Sequence, residues 1–335
     1  VVRRPPTLDE VARAAGVGRG TASRVLNDSP HVSPAAVRAV TSAVEALGYV
    51  PNRAARALVR RRTDAVALAV SEDGERLFSD PFFARIVRGV SGRLRRSDTQ
   101  MVLTMTGGED LDRVTEYLTD QHVDGVLLLS LHADDPLPDL LEARGVPTVC
   151  GGRPTAQHPP CVVDVANRAG AAAAVDHLLG TGRRRPVVVA GPSDMSSGHD
   201  RLAGALDAAA AAGIDPSSVP VRPGDYSEAS GWAATRDLLG AGVRFDALFA
   251  ASDPMAVGAV RALREAGLSV PGDVAVVGFD DAPVAAAAEP RLTTVHQPVE
   301  EMGETMVDLL LARIAGQEVP AETVLPTRLV VRESA

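Results

Sequence analysis

The 335-residue sequence contains no lysine. A P-loop lysine, a Schiff-base lysine and the lysine of a protein-kinase fold are therefore all excluded. Aromatic side chains are scarce as well, at 3% of the chain against 45% apolar residues, so the core has to be built from Ala, Val and Leu. Cysteine is limited to Cys150 and Cys161, which lack metal-ligand spacing and read as small buried hydrophobes in a reduced protein. No apolar run approaches the roughly 18 residues of a membrane span, and no secretory leader precedes the first elements. A cytoplasmic protein with no membrane partner is expected, with further residues expected ahead of Val1 because the sequence does not begin with Met. Seven scattered His without paired acidic spacing predict no metal site, and no cofactor motif is found. Gly16-Val17-Gly18-Arg19-Gly20 mimics a dinucleotide loop but follows a helical pattern rather than a strand.

What is present is a divided charge. The net value is -9, yet residues 1–62 hold eleven Arg against Asp9, Glu10, Asp28 and Glu45, or +7, which leaves -16 on the remainder. A basic head on an acidic body suits a chain that touches a polyanion with one segment only. The length also suggests about two domains.

In the head, Thr7-Leu8-Asp9-Glu10 has capping-box form, and Leu8, Val11, Ala12 and Ala15 recur at helical spacing. Gly16 is placed to end that helix, with Val17 in the corner. A second short helix is predicted from Arg19 to Asn27, with Ala22, Val25 and Leu26 inward and Arg19, Gly20, Thr21, Ser23 and Arg24 outward. This is a helix-turn-helix pattern, whose second helix enters a major groove. Ser33-Pro34 starts a third helix with Val37, Val40, Val44 and Leu47 as its apolar face and Gly48 at its end. After Pro51, Asn52 can cap a helix of about seven residues, too short to stand alone in water. A hinge that folds against a partner copy and DNA is expected there, with Leu58 as an apolar wedge in the minor groove.

The run TLDEVARAAGVGRGTASRVLN from Thr7, followed by VSP, LGYVPN and RAARAL, closely resembles the LacI/GalR family of bacterial transcriptional regulators. The resemblance extends to Leu329. It implies base-reading positions at Arg19, Gly20 and Arg24, and phosphate- or base-proximal ones at Thr7, Thr21, Ser23, Asn27 and His31. It also implies hinge contacts at Asn52, Ala55 and Leu58. Gly20 stands where the family commonly has a larger polar residue, which shifts base choice toward Arg19 and a bidentate guanine contact. The phrases GVGRGTASRVLN, LHADDPLPDLL, FAASDPMAVGA and HQPVEEMG look most similar to the cellobiose-utilisation repressors of high-G+C bacteria.

From Ala65 onward short apolar runs alternate with helical patterns. Strands are predicted at 65–70, 101–105, 125–130, 148–151, 187–190, 248–251 and 274–278, and helices at 82–96, 111–121, 169–179, 201–211, 229–239 and 254–266. The rhythm predicts α/β architecture with parallel sheets covered on both faces and ligands at the strand carboxyl ends. By the resemblance this body is a two-lobed periplasmic-binding-protein-like fold, with chain crossings near Asp164, Leu292 and Glu322. The expected organisation is a helix-turn-helix domain over 1–50, a hinge helix and linker over 51–63, and an effector-binding and dimerisation body over 64–335.

A sugar between the lobes would stack on rings and pair its hydroxyls with charged or amide groups. Phe82, Phe83 and Tyr226 fall at predicted strand-end loops, whereas Phe279 is expected in the core. Arg201, at the start of a helix after the 191–199 loop, is placed like the family's sugar-clamping arginine, and its fork can bridge two hydroxyls. Asp280 is similarly placed to the family's ligand carboxylate, while Asp281 is assigned a structural role. Ser252, where the family often has Asn, is a further candidate, with Asp80 and Gln297. Gly152 stands where several relatives carry Asp, and Ala166 where an acidic residue often precedes the Asn at 167, which leaves room for a longer or differently oriented sugar.

An enzyme is not expected. Ser196-Ser197-Gly198-His199-Asp200 invites a triad reading, but sequence neighbours do not make a triad and no G-x-S-x-G elbow occurs. The resemblance implies a homodimer on a pseudo-palindromic double-stranded operator, released by a small sugar effector, cellobiose or a related oligosaccharide. The alternatives are a corepressor-dependent regulator and, in another class, a sugar-binding transport protein. No leucine heptad follows the last predicted strand, so a terminal coiled coil is not expected.

Overall fold

The computed structural model describes residues 4, 6–26, 29, 31–49, 62–106, 111–154 and 161–335. They divide into two compact units, Val1–Asp64 and Ala65–Ala335.

In the first unit, α1 (Leu8–Ala14), α2 (Arg19–Leu26) and α3 (Pro34–Leu47) pack around Val11, Ala12, Ala22, Val40 and Ala43. The capping box at Thr7 is complete: the Thr7 N–H donates to Glu10 Oε2 at 2.6 Å and the Glu10 N–H donates back to Thr7 Oγ1 at 3.4 Å. Two orphan donors are satisfied reciprocally, a device worth about 1 kcal/mol. Gly16 (φ 66°) and Gly48 (φ 62°) turn left-handed where α1 and α3 stop, as glycine does at little cost. Ser33 caps α3, accepting from the Ala36 N–H at 3.3 Å. The predicted apolar face of α3 needs correction, since Val37 and Leu47 are exposed and the inward position is taken by Ala43. The interior is so small that alanine fills it.

Twelve strands among the described residues of the second unit form two six-stranded sheets. The first runs in the order β11 (Glu322–Leu325), β5 (Cys161–Val165), β4 (Thr148–Gly151), β3 (Gly125–Leu129), β1 (Ala65–Val70), β2 (Gln100–Met105), parallel throughout. The second runs β12 (Arg328–Val330), β10 (Thr293–His296), β9 (Ala275–Asp280), β8 (Ala247–Ala250), β6 (Pro186–Ala190), β7 (Val221–Pro223), with only β12 antiparallel to its neighbour. Central strands read as unbroken Val/Leu/Ala runs because helices cover both faces. Each lobe accordingly has a core on either side of its sheet.

The chain crosses between lobes between Val165 and Asn167, between His296 and Val299, and between Leu325 and Arg328. The second and third crossings lie a few residues beyond the expected Leu292 and Glu322. Leu292 is wholly buried ahead of β10, and Glu322 opens β11 rather than leaving it. After the second crossing, the Val299–Ile314 helix lies against the Pro81–Leu94 helix. A Cβ on Gly89 would sit 2.2 Å from the Glu300 carbonyl oxygen, so the two backbones meet where no side chain fits. Cys150 and Cys161 are both buried and free, in cores on opposite faces of the first sheet.

Candidate functional site

A cleft opens between the lobes, at the carboxyl ends of strands in both sheets. Of the residues expected to meet a ligand, Asp80, Phe82, Phe83, Gly152, Arg201, Tyr226, Asp280 and Gln297 all line it.

Ser252 does not. It is buried as the N-cap of the Asp253–Glu265 helix, accepting from the Met255 N–H at 3.3 Å and donating to the Tyr226 carbonyl at 3.1 Å. A serine followed by Asp-Pro is a strong N-cap signal, and capping uses the hydroxyl. Arg201 lies in the second turn of the Ser196–Ala211 helix rather than at its start, because the helix begins five residues before the expected Arg201 and shortens the 191–199 loop.

The floor of the cleft is a connected polar network. Arg201 donates from Nε to Asn167 Oδ1 at 2.8 Å and from Nη1 to both the Ala251 carbonyl at 2.7 Å and Asp280 Oδ1 at 3.1 Å. Gln297 Nε2 donates to the same Asp280 oxygen at 2.5 Å. Asn167 Nδ2 in turn donates to Asp164 Oδ1 at 2.9 Å, which also accepts from the Val165 N–H. The guanidinium carbon of Arg201 lies 3.7 Å from the centroid of Phe279, whose ring is wholly buried as expected of a core residue. Such stacking fixes the fork in one plane.

Asp280 ends β9 at φ 109° and Tyr226 sits at φ 71°, conformations that side-chain-bearing residues rarely adopt. Strain of this kind persists where surrounding bonds over-determine the backbone, and it concentrates at functional sites. The bonds here are visible. Arg85 Nη1 donates to the Asp280 carbonyl at 2.9 Å, Arg85 Nη2 to the Gln297 carbonyl at 3.3 Å, and its Nε to Glu300. Tyr226 OH and Ser197 Oγ are 2.9 Å apart.

Burial raises the pKa values of the cleft carboxyls. Asp280 is pushed up to about 6 by desolvation, against the pull of Arg201, and the nearby Asp80 charge adds to the rise. Asp80 and Asp164 are also raised, in each case chiefly by burial. Carboxyls short of compensating charge in a cleft are typical of binding sites.

Three polar contacts bridge the lobes at the rim. Arg76 donates to the Asp225 carbonyl, His132 Nδ1 lies 2.7 Å from Asp194 Oδ2, and Arg153 pairs with Asp200. Sequence reasoning missed Arg76, Ser130, Arg153 and Met302, which also line the cleft. Only the fold brings these residues, from separate helices and loops, to it. Asp281, assigned a structural role, pairs with His296 at 2.9 Å and Arg332 at 2.5 Å. The Ser196–Asp200 cluster is not assembled as a triad. Ser197 meets Tyr226, while the exposed His199 approaches Asp200 at 3.7 Å.

In the head, Arg19, Gly20 and Arg24 are exposed on α2, with Thr21 and Ser23 half-buried and His31 exposed beyond it. Arg19 pairs loosely with Asp9 at 3.5 Å, and Arg24 Nε donates to the Gly20 carbonyl at 3.2 Å. Thr7 is occupied by the cap of α1. Asn27, Asn52, Ala55 and Leu58, and with them the expected hinge helix, lie outside the described residues.

Residues 7–52 match the family described as "Bacterial regulatory proteins, lacI family", and residues 175–335 match "Periplasmic binding protein-like domain". Over 99% of its length the chain is 52% identical to the HTH-type transcriptional regulator CelR of Thermobifida fusca, of which it covers 99%. The chain belongs to the lacI family. This LacI-family repressor is also 34% identical to the ribose operon repressor of Escherichia coli K12, over 92% of the chain and 93% of that protein. Among solved structures it resembles a CelR–cellobiose complex at 50% identity and TM-score 0.79, covering 98% of this chain and all of that one. It also resembles the lac repressor dimer bound to operator and the anti-inducer ONPF, at 31% identity, TM-score 0.88 and 99% coverage of both chains.

Proposed function

We propose that this repressor leaves a pseudo-palindromic operator when cellobiose, or a closely related oligosaccharide, fills the cleft between its lobes. The observation that carries the reading is the Arg201–Asp280 pair, which offers a guanidinium fork and a carboxylate on the floor of the cleft between the lobes. Asp280 Oδ1 takes both protein donors, and Oδ2 accepts no hydrogen bond from the described residues. That oxygen is the acceptor for a sugar hydroxyl, and Arg201 supplies donors to its neighbour. Asp80 and Gln297 take further hydroxyls, while Phe82, Phe83 and Tyr226 offer apolar faces to the rings. Gly152 leaves space where a side chain would intrude. The complex of the CelR relative with cellobiose supports the choice of sugar.

Residues 1–50 act as the reading head, 51–63 as the hinge and 64–335 as the sensor and dimerisation body. Two heads of a homodimer address two half-sites, with Arg19 and Arg24 on α2 facing base edges and phosphates in the major groove. Sugar favours a lobe arrangement in which paired hinges separate, and by linkage operator and sugar weaken each other equally. The ligand is bound and not transformed, and the repressor works on the chromosome in the cytoplasm.

The test is release of a labelled operator by a panel of sugars. Release by cellobiose at lower concentrations than by monosaccharides is expected. Operator binding tightened by the sugar would make it a corepressor, and indifference to every sugar would remove the cleft from the mechanism.

A further inference from the structure

The Gly74–Ser79 helix carries an arginine with incomplete bonding on the cleft wall. Asp73 caps this helix, accepting from the Arg76 N–H at 2.8 Å, and Asp80 ends it while capping the helix that follows. Arg76 is thereby held from both sides, with its side chain only 19% exposed. Its guanidinium lies 3.3 Å from Glu72 and 3.7 Å from Asp80, and it donates to the Asp225 carbonyl on the other lobe. A guanidinium has five N–H donors. Among the described residues, the bond to Asp225 is the one side-chain hydrogen bond Arg76 makes, and its buried Nε makes none. A charged group this buried, with donors unused, is set up for a polar ligand.

Tyr226 relates this arginine to the floor of the cleft. Its ring centroid is 5.6 Å from the guanidinium of Arg201 and 5.6 Å from that of Arg76. Arg201 belongs to the Asp280–Asn167 network of the floor, whereas Arg76 reaches in from the rim of the opposite lobe. One ring clamped at Arg201 and Asp280 would leave a second ring of the same ligand beside Arg76.

We propose that Arg76 is a second sugar-binding arginine, holding the outer ring of a disaccharide, and that its bond to Asp225 locks the lobes over that ring. This rests on the sugar-release reading above. Glu72 and Asp80 balance its charge and orient the fork beforehand, so little ordering is needed when a pair of ring hydroxyls arrives. Discrimination between a disaccharide and its monosaccharide then resides in a residue of the first lobe, while the inner ring is recognised by the second.

The experiment is calorimetric titration of the full chain, wild type, Arg76→Ala and Arg76→Lys, with cellobiose and with glucose. Melting temperature and operator affinity are measured without sugar. Arg76→Ala is expected to weaken cellobiose by about tenfold or more, the scale of a lost charged hydrogen bond. Any change in melting temperature or operator affinity from the lost ion pairs and lobe contact is read separately and affects both sugars alike, so the cellobiose loss should exceed the glucose loss, and Arg76→Lys should recover only part of that excess. Wild-type cellobiose affinity in Arg76→Ala overturns the proposal. So does an equal loss for both sugars, which would place Arg76 at the inner ring or in the fold alone. A wild-type chain that binds no sugar fails the underlying reading first, and the two failures are therefore distinct.

Discussion

Arg201 Nη1 meets Asp280 Oδ1 at 3.1 Å on the floor of the cleft, where both side chains are almost fully buried. The pair is held from behind by Asn167 and Gln297, and the strained peptide of Asp280 is held by Arg85. A preorganised pair of this kind, with one carboxylate oxygen open, is the chemical centre of the site.

The pH dependence of sugar binding should report on Asp280. With its pKa raised to about 6 by burial, it protonates as the pH falls through that value and becomes a poorer acceptor. Cellobiose affinity should hold above neutrality and decline below about pH 6, and Asp280→Asn should bind weakly with a flat profile. Stability runs the other way. Asp280 binds its proton more tightly folded than unfolded, so its contribution is greatest at acid pH and declines as pH rises from 3.8 to about 6. Titrations across this range check both signs, and a flat wild-type affinity profile would remove Asp280 from ligand contact.

Glu300 should behave oppositely. Burial pushes it up, but hydrogen bonds from Arg85 and Arg88 outweigh that effect and hold it down at about 2. Its stabilising contribution is present above the ordinary 4.5 and lost as pH falls toward 2. Glu300→Gln should therefore lower the denaturation midpoint at neutral pH, with the difference from wild type closing in acid. A pH-independent difference would mean that packing, not charge, is what the substitution removes.

Gly89→Ala should destabilise the sensor by about 1–3 kcal/mol, the usual cost of overpacking. The added methyl would meet the Glu300 carbonyl at 2.2 Å and push two packed helices apart. Gly180→Ala, at a helix end with nothing within 4 Å of its new Cβ, is the control and should be neutral or slightly stabilising. Chemical denaturation of both variants decides.

Arg19→Ala should weaken operator binding by about 1–3 kcal/mol and relax preference at one base pair per half-site. Its exposed pairing with Asp9 at 3.5 Å is too weak to make the loss a folding effect. Competition between operator variants separates lost specificity from a uniform loss, which would instead indicate a phosphate contact.

Much of the fold was legible where strands are central and helices long. Ala65–Val70 and Thr148–Gly151 were read to the residue because strands buried at nearly every position appear as short, largely apolar runs between turn signals. β7, β10, β11 and β12 escaped because three or four residues, partly polar and near sheet edges, carry too little periodicity, and β5 escaped because Asp164 interrupts its short apolar run. Asp280 and Arg201 were found through family resemblance, whereas Arg76 and Arg153 were not, since no local pattern marks a rim residue. Ser252 was misassigned because a hydroxyl at a strand exit can serve a ligand or a helix N-terminus, and only the 3.3 Å bond to the Met255 N–H shows which.

The sequence alone determined the basic head, its capped helices and the alternating strands and helices of the body. Those features depend on the charge, spacing and propensity of near neighbours. The tertiary structure decided which distant side chains share the cleft. Arg76 and Asp225, or Arg85 and Asp280, stand 149 and 195 residues apart and meet only because two sheets bring their strand ends together. Local rules carry no information about such encounters, because they follow from how the lobes close over buried apolar surface.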